Sequence, residues 1–482
     1  MNYKLILRLV GNVIRIETAL MLLPFILSLA FRSGDYRAFL WSIGILAVSG
    51  TLLSVIKPEE KKFRAKEALV AVAFSWLAMS LFGAFPFYFS GYFNGWIDCV
   101  FESVSGFTTT GASLLTDIEA LPAGILFWRS LSHWIGGMGV LLFILAVMPS
   151  MNASSVNLLR VESTGPSPGK IVPKIRETAR ILYILYFSLT GLLIALLCMT
   201  GLPVYDASVI AFSTAGTGGF SVLNASIAGY HNIAAEILIT AFMFLFGINF
   251  SLYFMLLGKN RIKFFTDEEL LTFFGLVALS ITVVTINTFT SGVYGSIPEA
   301  LRYSSFQVSS IISTTGFTTA DFNVWPALSQ TILILLMFVG SCGGSTGGGV
   351  KVIRLLLLFK AAKNETGRVF HPEEVRPITI GEKRVSSDII TKTAIYFFIY
   401  LAILSLAFIL VSIEGKDVLS SLTAVIASLG NIGPGLGIAG PAGNYAAFTP
   451  LSKIVLCFCM LAGRLEFFPI LTLFTASAWR RG

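Results

Sequence analysis

Hydrophobic and polar positions alternate along this chain in long blocks, not with the short periods of a soluble fold. Apolar stretches lie near 9–31, 37–56, 67–90, 124–149, 179–201, 232–257, 268–290, 327–360, 389–413 and 450–479. Each has about the 20 residues needed to cross hydrocarbon, so the pattern predicts about ten transmembrane helices, the eighth interrupted. Basic segments alternate with longer segments bearing Gly and Thr. The basic set holds Lys57, Lys61, Lys62, Arg64 and Lys66, then Arg160, Lys170, Lys174, Arg176 and Arg180. Lys259, Arg261 and Lys263 follow, and then a run from Lys351 to Arg384. Across 91–126, 201–231, 290–330 and 414–452 the only Lys or Arg residues are Arg302 and Lys416, against nine acids: Asp98, Glu102, Asp117, Glu119, Asp206, Glu299, Asp321, Glu414 and Asp417. Lys and Arg stay inside, so both termini are expected in the cytoplasm and these four segments outside. Ser28-Leu29-Ala30 imitates a signal-peptide cleavage site. The region before it is long and carries Glu17 as well as Arg15, so the first span is expected to be retained.

After two leading spans one unit recurs four times: apolar span, short amphipathic stretch, Thr/Gly turn, apolar span. The turns read Thr108-Thr109-Thr110-Gly111-Ala112-Ser113, Gly216-Thr217-Gly218-Gly219-Phe220-Ser221, Ser313-Thr314-Thr315-Gly316-Phe317-Thr318 and Gly430-Asn431-Ile432-Gly433-Pro434-Gly435. One glycine aligns across all four: Gly111, Gly219, Gly316 and Gly433. The stretches before them (96–107, 204–215, 298–312 and 416–429) are too short to span. They are expected to be re-entrant half-helices, because irregular backbone survives at membrane depth only inside protein or along a cavity. The repeats are expected at 65–157, 158–263, 264–370 and 371–482, after a two-helix extension at 1–64. The fold class is therefore an all-α integral membrane protein with four tandem helix–pore-loop–helix repeats around a pseudo-fourfold pore.

Such a pore would gather four sets of backbone carbonyls able to replace the hydration shell of a cation. Gly supplies the positive φ that aims successive carbonyls one way. Each half-helix would point its C-terminal end, carrying about half a negative charge, at the ion. The nine external acids would concentrate cations at the mouth.

Composition agrees with this picture. Hydrophobic residues make up 55 %, only 12 % are charged, and mean hydropathy is +0.81 over 482 residues. No soluble fold of this size is so poor in charge. The net charge of +8 resolves into a basic inner face and an acidic outer one. The five cysteines have no metal-ligand spacing and read as buried free thiols. Only three histidines exist, and no cluster of His, Asp or Glu within the spans suggests an enzyme.

The four turn motifs resemble those of the bacterial TrkH/TrkG/KtrB potassium transporters, within the superfamily of K⁺ transporters. The likeness runs over residues 65–482, and the two leading spans are similar to TrkH and TrkG rather than to KtrB. The resemblance implies K⁺ uptake across the bacterial inner membrane and a homodimer with a pore in each protomer. It also implies a cytosolic TrkA-like ring that binds nucleotide and regulates gating. The K⁺-coordinating positions it implies are Thr110 and Gly111, Gly218 and Gly219, Thr315 and Gly316, and Ile432 and Gly433. Asn431-Ile432 departs from the Thr or Gly of the other loops, so a strictly fourfold filter is not expected.

Two further features suggest a gate. Six glycines in ten residues (340–349) break the eighth span, at about 1 kcal/mol each against Ala in a helix. Gly343, Gly344, Ser345, Thr346, Gly347, Gly348 and Gly349 would form a flexible intramembrane loop beneath the filter; the alternative is an ordinary cytoplasmic turn. Lys351 and Arg354 would mark the approach to the cytoplasm. Arg464 lies well inside the last span, where charge is costly and usually faces a cavity. It would act as a barrier or anchor the loop, unless it snorkels or pairs with an acid on another helix. The resemblance implies the same two gating elements. Behind the filter, His133 reads as a packing or hydrogen-bonding residue rather than a proton relay.

Two nucleotide-like motifs are decoys. Gly435-Leu-Gly437-Ile-Ala-Gly440 follows no strand, and Gly343 to Lys351 lacks the Walker spacing. The basic segments at 57–66, 157–180 and 351–384 would meet the cytosolic partner or anionic membrane lipid; nothing points to nucleic acid. The competing function is a secondary transporter of another monovalent cation, Na⁺-coupled or poorly selective. A transporter with midplane binding predicts inverted halves, whereas these repeats all face one way.

Overall fold

The computed structural model describes residues 1–58, 64–139, 175–257, 261–370, 377–381 and 383–479. The expected basic positions Lys61, Lys62, Arg160, Lys170, Lys174 and Lys259, and the inner end of the predicted span 124–149, lie outside the described residues.

Two long helices, α1 (Tyr3–Ala30) and α2 (Tyr36–Ser54), pack on each other at the N-terminal edge. They approach closely because Gly11 leaves room for the backbone of Leu53 and Ser54. The first repeat follows as α3 (Ala65–Phe82), α4 (Phe85–Ser90), the half-helix α5 (Trp96–Phe107) and α6 (Ala123–Gly137). The second is α7 (Ile175–Met199), half-helix α8 (Val204–Gly216), α9 (Ile233–Gly247) and α10 (Phe250–Leu257). After the short α11 (Ile262–Phe265), the third holds α12 (Glu268–Thr290), half-helix α13 (Ile297–Ile312), α14 (Ala327–Val339) and α15 (Val352–Phe370). The fourth is α16 (Ser387–Ser412), half-helix α17 (Val418–Leu429), α18 (Pro450–Arg464) and α19 (Phe468–Leu473), with α20 (Ala476–Trp479) beyond it. A two-stranded antiparallel hairpin, β1 (Thr379–Ile380) and β2 (Lys383–Arg384), joins the third and fourth repeats.

The half-helices are 12, 13, 16 and 12 residues long, as the sequence leads one to expect. Each is packed by the second helix of the preceding repeat: α6 on α8, α9 on α13, α14 on α17, and α18 back onto α5. That last contact closes the ring, so the four repeats surround one axis.

The all-α membrane fold expected from the sequence is observed, and several of its apolar stretches are broken helices rather than continuous ones. Among the described residues six helices are individually long and apolar enough to cross, and the α9–α10 pair, bent by 94°, makes a seventh if it is counted as one span. The second helices of repeats two, three and four are all broken, and α6 stops at Gly137. An apolar count integrates over a break of two or three residues, so hydropathy sees one span where the backbone makes two.

Candidate ion-conduction site

Each half-helix ends in the same three-residue device. Thr109, Thr217, Thr314 and Asn431 take the left-handed conformation at φ 56°, 55°, 60° and 54°. One residue intervenes, and then Gly111, Gly219, Gly316 and Gly433 follow at φ 80°, 80°, 81° and 97°. The amide of each intervening residue reaches back to a half-helix carbonyl at 2.8–2.9 Å: Thr110 to Ser105, Gly218 to Ser213, Thr315 to Ser310 and Ile432 to Ala427. This bond, with the positive φ on either side of it, turns the chain out of the helix direction. Asn431 sits where the other loops have Thr, and Asn is among the few residues that enter this region readily. The fourth loop departs from the others mainly in its side chains, and slightly in its backbone at Gly433.

The four glycines and four carbonyls interlock in a cycle. A Cβ placed on Gly111 would lie 1.8 Å from the Gly218 carbonyl oxygen, and one on Gly219 2.2 Å from that of Thr315. One on Gly316 would meet the Ile432 oxygen at 2.1 Å, and one on Gly433 the Thr110 oxygen at 2.7 Å. Each loop therefore places its glycine against the carbonyl one residue before the next loop's glycine. No side chain fits inside this ring. The same four glycines line one outward cavity of about 190 Å³.

The wall behind the ring is built from repeat one. Arg129 and Glu102, both fully buried, pair at 2.9 Å. Glu102 also accepts from the Ser113 hydroxyl at 2.9 Å and the Leu114 amide at 3.1 Å, which fixes the chain just past Gly111. The Arg129 guanidinium lies 4.1 Å from the Phe220 ring centre, tying the second loop to the first. His133 stacks on the same ring at 4.1 Å, and its Nδ1 is 2.8 Å from the Gly106 carbonyl oxygen. A Cβ on Gly218 would strike the His133 ring at 2.4 Å, so this histidine packs directly behind the filter loop.

Several of the nine acids in the four segments expected outside are already engaged. Asp98 pairs with Lys453 at 2.7 Å, Glu102 with Arg129, and Asp417 caps α17 through the Ser420 amide at 2.8 Å. Glu414 accepts from the Thr449 amide at 2.9 Å. Asp117 holds the side-chain amide of Asn224 at 3.1 Å, and that hydrogen bond keeps its carboxyl below its ordinary pKa. The acids build the mouth at least as much as they charge it.

Beneath the ring, residues 340–351 fold into a compact buried loop. It touches repeats two, three and four. The Gly348 amide donates to the Thr314 hydroxyl at 2.6 Å, and a Cβ at Gly348 would sit 2.3 Å from the Gly430 carbonyl oxygen. The Cys342 amide reaches the Gly247 carbonyl at 3.1 Å, and the Gly344 carbonyl accepts from the Phe250 amide at 3.0 Å. Thr346 donates to the Phe246 carbonyl at 3.2 Å. The Gly343 amide donates to Glu269 on α12 at 2.6 Å. A loop expected to be flexible is thus held by partners on several sides, and Ser341, Cys342, Thr346 and Val350 are at most 1 % exposed. Lys351 and Arg354 are both buried within the protein, Lys351 donating to the Gly347 carbonyl and Arg354 pairing with Glu466.

Arg464 spans the floor of the pathway. It donates to Thr346 O at 2.9 Å, to Gly137 O at 2.8 Å and to Gly136 O. The guanidinium therefore ties the loop at 340–351 to the end of α6. Glu466, two residues on, turns to Arg354 instead, whose guanidinium lies 3.9 Å from the Tyr396 ring centre.

The sequence pattern of the family described as "TrkH: Cation transport protein" matches residues 37–480. The chain belongs to the TrkH family. This TrkH-family chain is 35 % identical to the Trk system potassium uptake protein TrkH of Salmonella typhimurium, over 100 % of both chains. It is 31 % identical to the Trk system potassium uptake protein TrkG of Escherichia coli K12, over 99 % of each. The crystal structure of the potassium transporter TrkH from Vibrio parahaemolyticus superposes with a TM-score of 0.91 at 31 % identity, covering 100 % of both chains.

Two features of this TrkH-family chain escaped sequence reading. One is the set of breaks in the second helices, where a glycine meets the end of its own half-helix. A Cβ on Gly136 would lie 1.9 Å from Phe107 O, and one on Gly463 2.1 Å from Leu429 O. Glycines at corresponding places in spans four and ten were the available signal. The other is Glu269, an acid just inside an apolar span, which hydropathy treats as a boundary residue.

Proposed function

We propose that this protein takes up potassium ions through the ring of carbonyls from Thr110 and Gly111, Gly218 and Gly219, Thr315 and Gly316, and Ile432 and Gly433. The observation that carries the reading is the closed cycle of glycine–carbonyl contacts. It leaves backbone oxygens as the groups facing the axis and excludes every side chain. Oxygen dipoles without formal charge suit a weakly hydrated monovalent cation, whose shell they replace. The half-helix C-termini add negative potential below the ring. The names of the relatives, potassium uptake proteins of a Trk system, support the choice of K⁺.

The loop at 343–349 is the gate in this reading, and Arg464 its anchor and a positive barrier beneath the filter. The repeats run 65–157, 158–263, 264–370 and 371–482. The protein works as a homodimer in the cell inner membrane, with both termini cytoplasmic. A TrkA-like nucleotide-binding ring drives the gate from the cytosol, in keeping with relatives named as parts of a system.

Flux of K⁺, Rb⁺, Na⁺ and Li⁺ into liposomes holding the purified protein tests the proposal. K⁺ and Rb⁺ should pass well ahead of Li⁺. Equal entry of Li⁺ and K⁺ would overturn the carbonyl filter, and preferred entry of Na⁺ would favour the transporter of another cation.

A further inference from the structure

We infer that Glu269 is the latch that holds the intramembrane loop closed, a positioning residue that acts on the ion path only through that loop. The inference rests on the loop being the gate. Glu269 is 6 % exposed and stands in the first turn of α12, facing the break in the third repeat. Its Oε1 accepts the Gly343 amide at 2.6 Å. The bond falls at the start of the 343–349 segment, where the chain has just left the α14 direction.

The loop's other contacts reach pore elements: a hydrogen bond to Thr314 and close packing on Gly430 above, the 246–250 break beside it, and Arg464 below. Glu269 differs from all of these because its helix begins at the inner face. Its neighbour Glu268 looks the other way, pairing with Lys360 and accepting the Gly381 amide of the β1–β2 turn at 3.0 Å. Lys360 in turn donates to Thr379 O at 2.7 Å. One helix end therefore grips the cytoplasmic hairpin with one carboxylate and the gate loop with the next. A carboxylate accepting a backbone amide away from water makes a strong, directional bond, so releasing it frees the loop at its N-terminal root.

Basal K⁺ flux of the full-length protein in liposomes, measured without any cytosolic partner, tests the latch. Glu269→Ala should raise it about tenfold, the weight of one hydrogen bond to a charged group. Glu269→Gln keeps an acceptor at the same reach and should raise it less; Glu269→Asp keeps the charge but falls short and should resemble Ala. If Asp restores closure and Gln does not, the residue acts by charge and the latch is wrong. Glu268→Ala, which loosens the hairpin but leaves Gly343 held, should leave basal flux unchanged; an equal rise there would mean general loosening and would overturn the proposal. Deleting 343–349 should raise flux, and adding Glu269→Ala to that deletion should add nothing. Deletion without effect would sink the gate itself, whereas an effective deletion with an inert Glu269→Ala would sink only the latch. Gel-filtration profiles and melting curves for every variant identify misfolded protein, and Glu269→Gln, nearly isosteric, keeps the test available if Ala fails to fold.

Discussion

The filter ring and the floor beneath it are built from the same four repeats, yet they obey opposite rules. In the ring, loops of different sequence adopt one backbone: four left-handed residues within 6° of each other and four glycines within 17°. In the floor, the second helices end or break differently from repeat to repeat. Repeat two bends by 94° across two residues, repeat three opens a loop at 340–351, and repeat four turns through Glu466 and Phe467 at positive φ. Repeat one ends its helix at Gly137. Coordination by carbonyls needs a set of equivalent oxygens, so departure at one loop spoils all four. Closing a single axis needs one obstruction, so one repeat can carry it while the others only make room.

The sharpest way to break the comparison is to put a methyl group in the ring. Gly111→Ala, Gly219→Ala and Gly316→Ala each force a Cβ to within 1.8–2.2 Å of the next loop's carbonyl oxygen. They also force Ala into a conformation costing about 1–2 kcal/mol. K⁺ flux should fall by roughly a hundredfold, the order expected when reacting dipoles are misplaced by about an ångström. Gly433→Ala, at 2.7 Å, should be the mildest of the four. Flux assays with all four variants at matched protein in the membrane read this directly. Equal, near-normal flux in the set would mean that the ring is not the path.

In the floor the test runs the other way, toward more flux. Arg464→Ala removes donors to Thr346, Gly136 and Gly137 and should raise unstimulated flux about tenfold. Arg464→Lys keeps the charge but not the planar fork. If the anchor matters most, Lys behaves like Ala; if the positive barrier matters most, Lys behaves like wild type. Single-channel or liposome recordings without a partner separate the two. A fall in flux for both variants would contradict either role.

The two regions also differ in how far the sequence reveals them. The ring was legible because its rule is local: a Thr/Gly turn behind a short amphipathic helix, repeated with one glycine in register. Even Asn431-Ile432 obeys it, since the requirement falls on φ and not on the side chain. The cyclic closure from Gly433 to Thr110 was legible only as symmetry, because those residues are far apart in the chain. The floor was half legible. Six glycines at 340–349 announce a break, but Gly136-Gly137 and Gly463 are small interruptions of apolar runs. Their purpose, letting a helix touch the end of its half-helix, appears only with packing. The partners of Arg464 and Glu269 were not legible at all, because both hold backbone carbonyls or amides, which carry no sequence signal.

The mouth offers the smallest and most exacting test. Reading charges from the sequence suggests that Asp117 attracts cations, whereas the structure makes it a tie between two loops. It holds the Asn224 side chain and also accepts from the amides of Glu119 and Ala120 at 3.1 and 3.3 Å. The hydrogen bond from Asn224 is the main reason its pKa is lowered. A carboxyl lowered by folding stabilises above its unfolded pKa of about 3.9 and loses that contribution as pH falls through its folded value. Wild-type melting temperature should therefore show no loss from this group between pH 8 and about pH 5. Asp117→Ala should lower it slightly and by the same margin across that range, the difference closing only below about pH 4. K⁺ flux at low ionic strength should change little. If flux in Asp117→Ala fell steeply at low salt and recovered at high salt, screening would identify Asp117 as a field source, and the mouth would behave as its charges alone suggest.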